Sequence, residues 1–542
     1  MYKKFFIFIG LMSINCIIAD SCQNTCAPTN SCVNTCEDNC PTNVFGKTFF
    51  SYRPQDSNVA QRMVGVIDTI NQYETECTYG TLSASIAYSQ TRNPNKLAQF
   101  FSFTGNNSMT YGPECLSFIT TGTIHPRGQI NENFDIYGIN FGTTSTGQIC
   151  LRPQIKNVIF DVDIYTDWSE CFWGLKLWTR ANLPLVNTKW NLHLKDACDI
   201  QEGTSNFATF LVSSKDVNVT VPTPNDLSHA FAGPAFGQVP ALNFGKVNGE
   251  REKTALAGFH FEIGYDFWKS QTGFFVAGLH MVAPTGNTPN AHYLFEPIAG
   301  ANHAWQLGAT LQAGYSLWQS NCDNKKNISI YFDSIITHLF PSEQRRLFGL
   351  LINDKTSPGS SYLVLKHYDK NGTLLGLERA ANLLACETKI KVDVMADLAI
   401  MLQYNSDCYM AGLGWNFWYR SKEKPECETI CKVRCCPFSH NDKYAIKGDA
   451  LADNINSESK ATIGTCSSEE TSPVYLTDKD IDRSIALNPS TYSNKIFGFV
   501  GRNWTESDIW TPYVLLEGEV EFGHKNTAAD QWSIMLKGGV SF

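Results

Sequence analysis

Beyond its first twenty residues, the 542-residue chain contains no long unbroken apolar run. A membrane-spanning helix needs about 20 consecutive apolar residues, so helices cannot carry this chain across a bilayer. Charge is also scarce. Asp, Glu, Lys and Arg make up 18% of the sequence, and the net charge is −9. That balance argues against nucleic acid as a partner, which calls for a basic face. Histidine is limited to 11 residues, and neither HExxH nor GxSxG occurs. No catalytic machinery is therefore read from the sequence, and no enzyme activity or cofactor is expected. His260 and His280, on the polar faces of adjacent predicted strands, have no reactive serine standing out beside them.

The chain does have aromatics, with 34 Phe, 21 Tyr and 12 Trp. Many sit in runs where apolar and polar residues alternate. In HAWQLGATLQAGYSLWQ (303–319), Trp305, Leu307, Leu311, Tyr315 and Leu317 oppose Gln306, Gly308, Thr310, Gln312 and Ser316. In residues 254–268, Phe259, Phe261, Ile263, Tyr265 and Phe267 oppose His260, Glu262, Gly264 and Asp266. In residues 389–404, Val392, Val394, Leu398, Ile400 and Leu402 oppose Lys391, Asp393, Asp397 and Gln403. A period of two places alternate residues on opposite faces of a strand. Shorter versions recur near 81–90, 99–111, 133–142, 156–167, 172–181, 188–195, 272–285, 326–337, 408–420, 494–504, 511–524 and 531–542. Several exceed the five or six residues usual for soluble strands and match the roughly 9–11 needed to cross a bilayer obliquely.

The composition of the two faces separates a membrane barrel from a soluble sandwich. The polar face is rich in Gly, Ser, Gln and charge. The apolar face carries Trp305, Tyr315, Tyr404, Tyr409, Tyr419, Trp532 and Phe542 near strand ends, as aromatic girdles do. Connections counted back from the C-terminus alternate in length. Long ones (196–251, 338–388, 421–493) fall on one side, and turns such as WKSQT and NSD fall on the other. The expected fold is an all-β, transmembrane, antiparallel up-and-down β-barrel of about 14–16 strands, with sixteen favoured. It would have long extracellular loops and a short N-terminal helix. Phe49–Arg53 is the candidate for a sixteenth strand. Residues 57–72 space Ala60, Met63, Val64, Ile67 and Ile70 at helical intervals and predict that helix, packed on the barrel end, plugging the lumen or lying in the periplasm.

The opening MYKKFFIFIGLMSINCIIAD reads as a signal peptide ending near Ala19, with a basic start and a short apolar core. Residues 20–80 then form a Cys-rich segment with the helix, and 81–542 the barrel. Of the 19 cysteines, Cys22, Cys26, Cys32, Cys36 and Cys40 cluster near the start. Cys427, Cys431, Cys435, Cys436 and Cys466 share one long loop. Spacings of mostly three residues and the lack of accompanying histidines favour disulfides over metal. These would bridge within each cluster or cross-link envelope proteins.

Strand faces also give candidate pore-lining residues. The acids are Asp161, Asp163, Glu262, Asp266, Asp393, Asp397, Glu517, Glu519 and Glu521. The others are His193, Lys195, His260, His280, Gln306 and Gln312. Acids outnumber the bases on these faces, which implies a mild preference for cations.

The terminal Gly538-Gly539-Val540-Ser541-Phe542 resembles the signal that the barrel-assembly machinery reads in Gram-negative outer-membrane β-barrel proteins. Trp532, Val540 and Phe542 are its apolar positions, and a terminal strand of this kind would close a cylinder. The stretch APTGNTPNAHYLFEPIAGANHAWQLGATLQAGYSLW is similar to barrels in which a strand ends in Pro-Thr-Gly and a loop returns to Trp-x-Leu-Gly. That group includes hydrophobic-compound transporters of the fatty-acid-uptake type, although their N-terminal hatch has no sequence match here. The resemblance implies a bacterial outer-membrane location with lipid and the assembly machinery as partners. The leading expectation is a porin-like channel for passive diffusion of small hydrophilic solutes, possible as a homo-oligomer. The alternatives are a surface-interaction barrel with disulfide-stabilised loops and a transporter of hydrophobic compounds.

Overall fold

In the computed structural model, the period-two runs become twelve long antiparallel strands. The described residues are chiefly 44–65, 79–111, 147–168, 176–196, 240–320, 326–426, 442–446, 475–504 and 511–542, less a few positions. The strands are β1 (Tyr79–Thr91), β2 (Gln154–Asp167), β3 (Leu177–Asn191), β4 (Phe259–Ser270), β5 (Gly273–Ala283) and β6 (Gln306–Gln319). They continue as β7 (Lys326–Leu347), β8 (Ala385–Ser406), β9 (Tyr409–Arg420), β10 (Thr491–Asn503), β11 (Thr511–Gly523) and β12 (Gln531–Ser541). Each pairs with its sequence neighbours, and β12 pairs with β1 in register Leu536↔Ile86. The sheet is thus a closed barrel without a free edge, which satisfies the backbone polar groups of the wall internally.

Twelve strands, not fourteen to sixteen, close the wall. Residues 172–181 and 188–195 belong to one strand, β3, which runs through Pro184. Proline has no N–H to give to a ladder, and it sits where β3 changes partner. Leu177–Asn182 pair with β4, and Leu185–Asn191 pair with the short strand Glu250–Leu256. Residues 99–111 split into the end of a helix, α2 (Pro94–Phe101), and a short strand, Ser108–Tyr111, in a separate small sheet. Phe49–Arg53 is not a strand. Residues 133–142, the N-terminal leader and all ten named cysteines lie outside the described residues.

The outer face is apolar and exposed. Leu82, Ile164, Leu279, Leu311, Ile400, Leu413, Ile496 and Leu536 all point outward, and Leu413 is 65% exposed. At the short-turn end, Phe267, Trp268, Tyr315, Trp318, Tyr404 and Tyr409 are exposed. A bulge between Asp266 and Trp268 puts two successive aromatics outward there. Phe259, Trp305, Phe340, Phe522 and Trp532 stand exposed toward the opposite end. From Trp305 to Tyr315 a tilted strand climbs about 25 Å, the height of an outer-membrane apolar band.

The short helix is present as α1 (Val59–Met63). It does not pack on the barrel end. Residues 44–65 run into the interior, and Val59, Ala60 and Met63 are buried in one cluster with inward residues of the wall such as Tyr331, Met401 and Phe497. Below the helix the interior is filled by rings. Trp178 lies over Gly264, where a Cβ would come within 2.4 Å of the indole. At the long-loop end, Phe50 and Tyr52 join Trp190, Phe100, Phe101 and Phe295 in a second cluster.

Candidate functional site

Alternation decides which side chains enter the barrel, and packing on residues 44–65 decides what they do there. Asp161, Asp163, His260, Glu262, Asp266, His280, Gln306, Gln312, Asp397, Glu517, Glu519 and Glu521 lie on the inward-facing positions. All but Asp161, which is half-buried, are buried there.

Three other candidates lie elsewhere. His193 follows the end of β3 in a left-handed turn (φ 44). Lys195 belongs to a separate three-stranded sheet, opposite Cys150. Asp393 is displaced by a bulge. Between the pairs Thr337↔Met395 and Leu339↔Val392, one residue of β7 opposes two of β8. The extra residue reverses the alternation, so Val392 and Met395 are both buried. Asp393 then pairs with the half-exposed Lys424.

The inward carboxylates hold the N-terminal segment through two arginines that sequence reasoning missed. Arg53 donates to Asp397 Oδ2 at 2.6 Å, to Glu521 Oε1 at 3.4 Å and to Asn416 Oδ1 at 2.8 Å. The same Asp397 oxygen accepts from the Val59 amide at 3.1 Å, and Asn416 donates to the other oxygen at 2.6 Å. One turn on, the Arg62 guanidinium forks between Glu262 and Asp333, both buried. Lys537 of β12 donates to the carbonyls of Gln61, Arg62 and Val64, the last at 2.7 Å. Asn58, which caps α1, reaches Glu519 at 3.2 Å. The acid excess on the inward faces was the only sequence signal, because the wall's own cations, such as Arg180 on Asp163 and Lys495 on Glu519, are too few for those acids.

Between this segment and β1–β5 lies a cavity of about 60 Å³. Its polar lining includes Asp56, Asp161, Asp163, Arg180, His260 and Glu262, and Val59, Ile159 and Met535 add an apolar side. His260 Nε2 lies 3.1 Å from Asp56, His280 Nδ1 lies 2.8 Å from Glu262, and the two rings are 5.4 Å apart. Arg180 donates to Asp163 at 2.8 Å, and Asn182 donates to both oxygens of Asp161 at 2.6 Å. Among the described residues, no group of His, Cys, Asp and Glu is arranged to hold a metal ion.

The loop 284–305 covers the long-loop mouth. Gln55 donates to the Ile298 carbonyl at 2.9 Å and accepts from Gly300 N at 3.1 Å, which fastens loop to segment. Within the loop, Glu296 accepts from the amides of Asn290 and Ala291 at 3.1 and 3.0 Å. Burial pushes the Glu296 carboxyl up to about 7.

Trp532 and Phe542 are outward and exposed, and Val540 is half-buried. All three lie in or at the end of β12, and the Phe542 amide donates to the Gly80 carbonyl at 3.0 Å.

No family model and no curated protein matches the sequence. Among solved structures, the chain resembles an outer membrane channel from Pseudomonas putida F1, with 9% identity, 87% of this chain and 98% of that one covered, and a TM-score of 0.32. It also resembles the Pseudomonas putida toluene transporter TodX, with 7% identity, 92% and 97% covered, and a TM-score of 0.30. A third likeness is to the translocator domain of the autotransporter NalP from Neisseria meningitidis, with 7% identity, 89% and 94% covered, and a TM-score of 0.28. Scores of this size carry no argument about what passes through this barrel.

Proposed function

We propose that this chain is an integral outer-membrane barrel that conducts small hydrophilic solutes when its N-terminal segment leaves the lumen. The observation that carries this reading is the contrast between the two faces of one wall. The outer face exposes aliphatic residues between two zones of aromatics, which suits lipid. The inner face buries a belt of carboxylates around a polar cavity, which suits water and polar solutes. Twelve strands lie between the eight whose interior side chains can fill and the sixteen or more that leave a wide channel. A lumen of that size is closed by one short segment and opened by moving it.

Passage of hydrophobic compounds is the second reading. The apolar floor of Trp178, Phe274, Tyr331 and Phe497 favours it. Planar-bilayer recording decides between them. Ion-conducting steps after release of the segment support the first reading. A barrel that stays non-conducting yet takes up an apolar probe supports the second.

A further inference from the structure

One sector of the outer wall carries positive charge that the protein leaves unmatched. Lys156 of β2 lies on the outward face at the long-loop end, between Gln90 of β1 and Lys189 of β3, each directly opposite it. Arg92, two residues past Gln90, is exposed, and its amide donates to the Asp530 carbonyl at 3.0 Å. That makes Lys189 the opposite neighbour of Lys156, about 4.5–5.5 Å away, and Arg92 its diagonal neighbour, about 7–8 Å away. Like charges directly opposite on one face destabilise a sheet. Lys189 is matched by Glu252 at 3.0 Å. Lys156 and Arg92 form no ion pair among the described residues, and neither does Arg152, which is exposed just before β2. The Arg92 guanidinium lies instead over the exposed Phe522 ring, 4.4 Å from its centre. Around β7 and β8, by contrast, Arg345 pairs with Glu387 at 2.7 Å, Lys389 with Glu426 at 3.5 Å, and Lys424 with Asp393.

The same register places these cations beside the aromatic girdle. Trp532 of β12 opposes Gln90, and Tyr88 packs against Trp532 at 5.6 Å while donating to Gln90 at 2.8 Å. Rings of this kind lie at the headgroup level of a bilayer. Toward mid-wall, β1, β2 and β3 expose Ile86, Val158, Phe160, Leu183 and Leu185. We infer that this sector of the outer wall docks a phosphate-bearing lipid of the surrounding leaflet, with its headgroup on Arg92, Lys156 and Lys189 and its chains on the apolar residues below. A guanidinium and two ammonium groups offer only donors and positive charge, which phosphate oxygens complement. The apolar strip continuous with the cations selects a lipid over the free anion. The inference needs the barrel to sit in lipid and is independent of what passes through the lumen.

The test uses the full-length chain in detergent micelles and native mass spectrometry, with dioleoyl phosphatidic acid and dioleoyl phosphatidylcholine supplied in equal amounts. Each cation at a membrane surface favours an anionic lipid about fivefold, so the first adduct should be phosphatidic acid at least about fivefold more often than phosphatidylcholine. The double variant Arg92→Gln/Lys156→Gln should bring that ratio close to parity. Lys389→Gln/Lys424→Gln, where the cations already have carboxylates, should leave it as in the parent, and excess inorganic phosphate should not compete. Heat-modifiable mobility on gels identifies folded variants, and Lys156→Gln alone decides if the double variant fails to fold. Equal binding of the two lipids by the parent, an undiminished preference in Arg92→Gln/Lys156→Gln, an equal loss in Lys389→Gln/Lys424→Gln, or displacement by inorganic phosphate overturns the inference. Phosphatidylcholine adducts are scored separately. If they form without a preference for phosphatidic acid, the inference falls and the membrane reading stands; if neither lipid binds, the membrane reading falls with it.

Discussion

Replacing Arg62 with alanine should open the barrel without unfolding it. The side chain is the only described link that ties Glu262 of β4 and Asp333 of β7 to the N-terminal segment. Both carboxylates are buried, at 3% and 2% exposure. Removing one partner of a buried ion pair costs about 3–5 kcal/mol, because a charge stays buried without compensation. His280 remains 2.8 Å from Glu262 and offsets part of that loss, so the lower end applies. At about 1.4 kcal/mol per decade, the docked-to-released ratio falls roughly a hundredfold. The assay is open probability in planar bilayers at fixed voltage, with heat-modifiable gel mobility as the check on folding. Arg62→Lys keeps a charge but cannot fork between two carboxylates, so its effect should be intermediate. A folded Arg62→Ala barrel that opens no more often than the parent would refute the reasoning, since the lost contacts would then not hold the segment in place.

Other consequences follow from the same geometry. Arg53→Ala, which strips Asp397 of its cation and leaves Glu521 only the more distant Lys495, should also raise open probability, and combining it with Arg62→Ala should abolish closure in the same recordings. Ile400→Arg places a charge in the middle of the outer belt and should lower stability in vesicles by about 2–4 kcal/mol in urea titration, whereas Thr310→Ser on the inner face should change it little. Trp178→Ala removes the ring over Gly264 and should cost about 3–5 kcal/mol in the same titration. Glu296 gives a pH dependence with a definite sign. Its folded carboxyl is raised to about 7 from 4.5, so its contribution to loop 284–305 is fully present below about pH 4.5 and is lost as pH rises through 7. Limited proteolysis of that loop should therefore accelerate between pH 5 and 8, and Glu296→Gln should flatten the profile.

The wall was legible in the sequence wherever both of its faces were chemically distinct. Gln306–Tyr315 alternates without interruption, and its outward and inward sets fall as its residues predict, up to a bulge between Ser316 and Trp318. Reading failed where one residue broke the rhythm. Pro184 looks like the gap between two strands, but it marks a change of partner within β3. At Asp393 a one-residue bulge sends the side chain outward, and no property of the local sequence announces it. The plug was hidden for a different reason. Residues 44–58 have no period because their partners come from around the wall, with Asp397, Glu519 and Glu521 more than 300 positions away in sequence. The contacts of Arg53 and Arg62 are products of closure, and closure is a long-range fact.

The most direct measurement of the central claim is a nitroxide scan along β6 in reconstituted vesicles. Single labels from Trp305 to Leu317 would be probed with oxygen, which concentrates in lipid, and with a water-soluble relaxant. The twelve-stranded membrane wall requires oxygen accessibility to peak at Leu307, Leu311 and Tyr315 and to fall at Gln306, Thr310 and Gln312, with a period of two. Peaks in the water-soluble relaxant at Leu307, Leu311 and Tyr315 would place the apolar face in water and contradict the account.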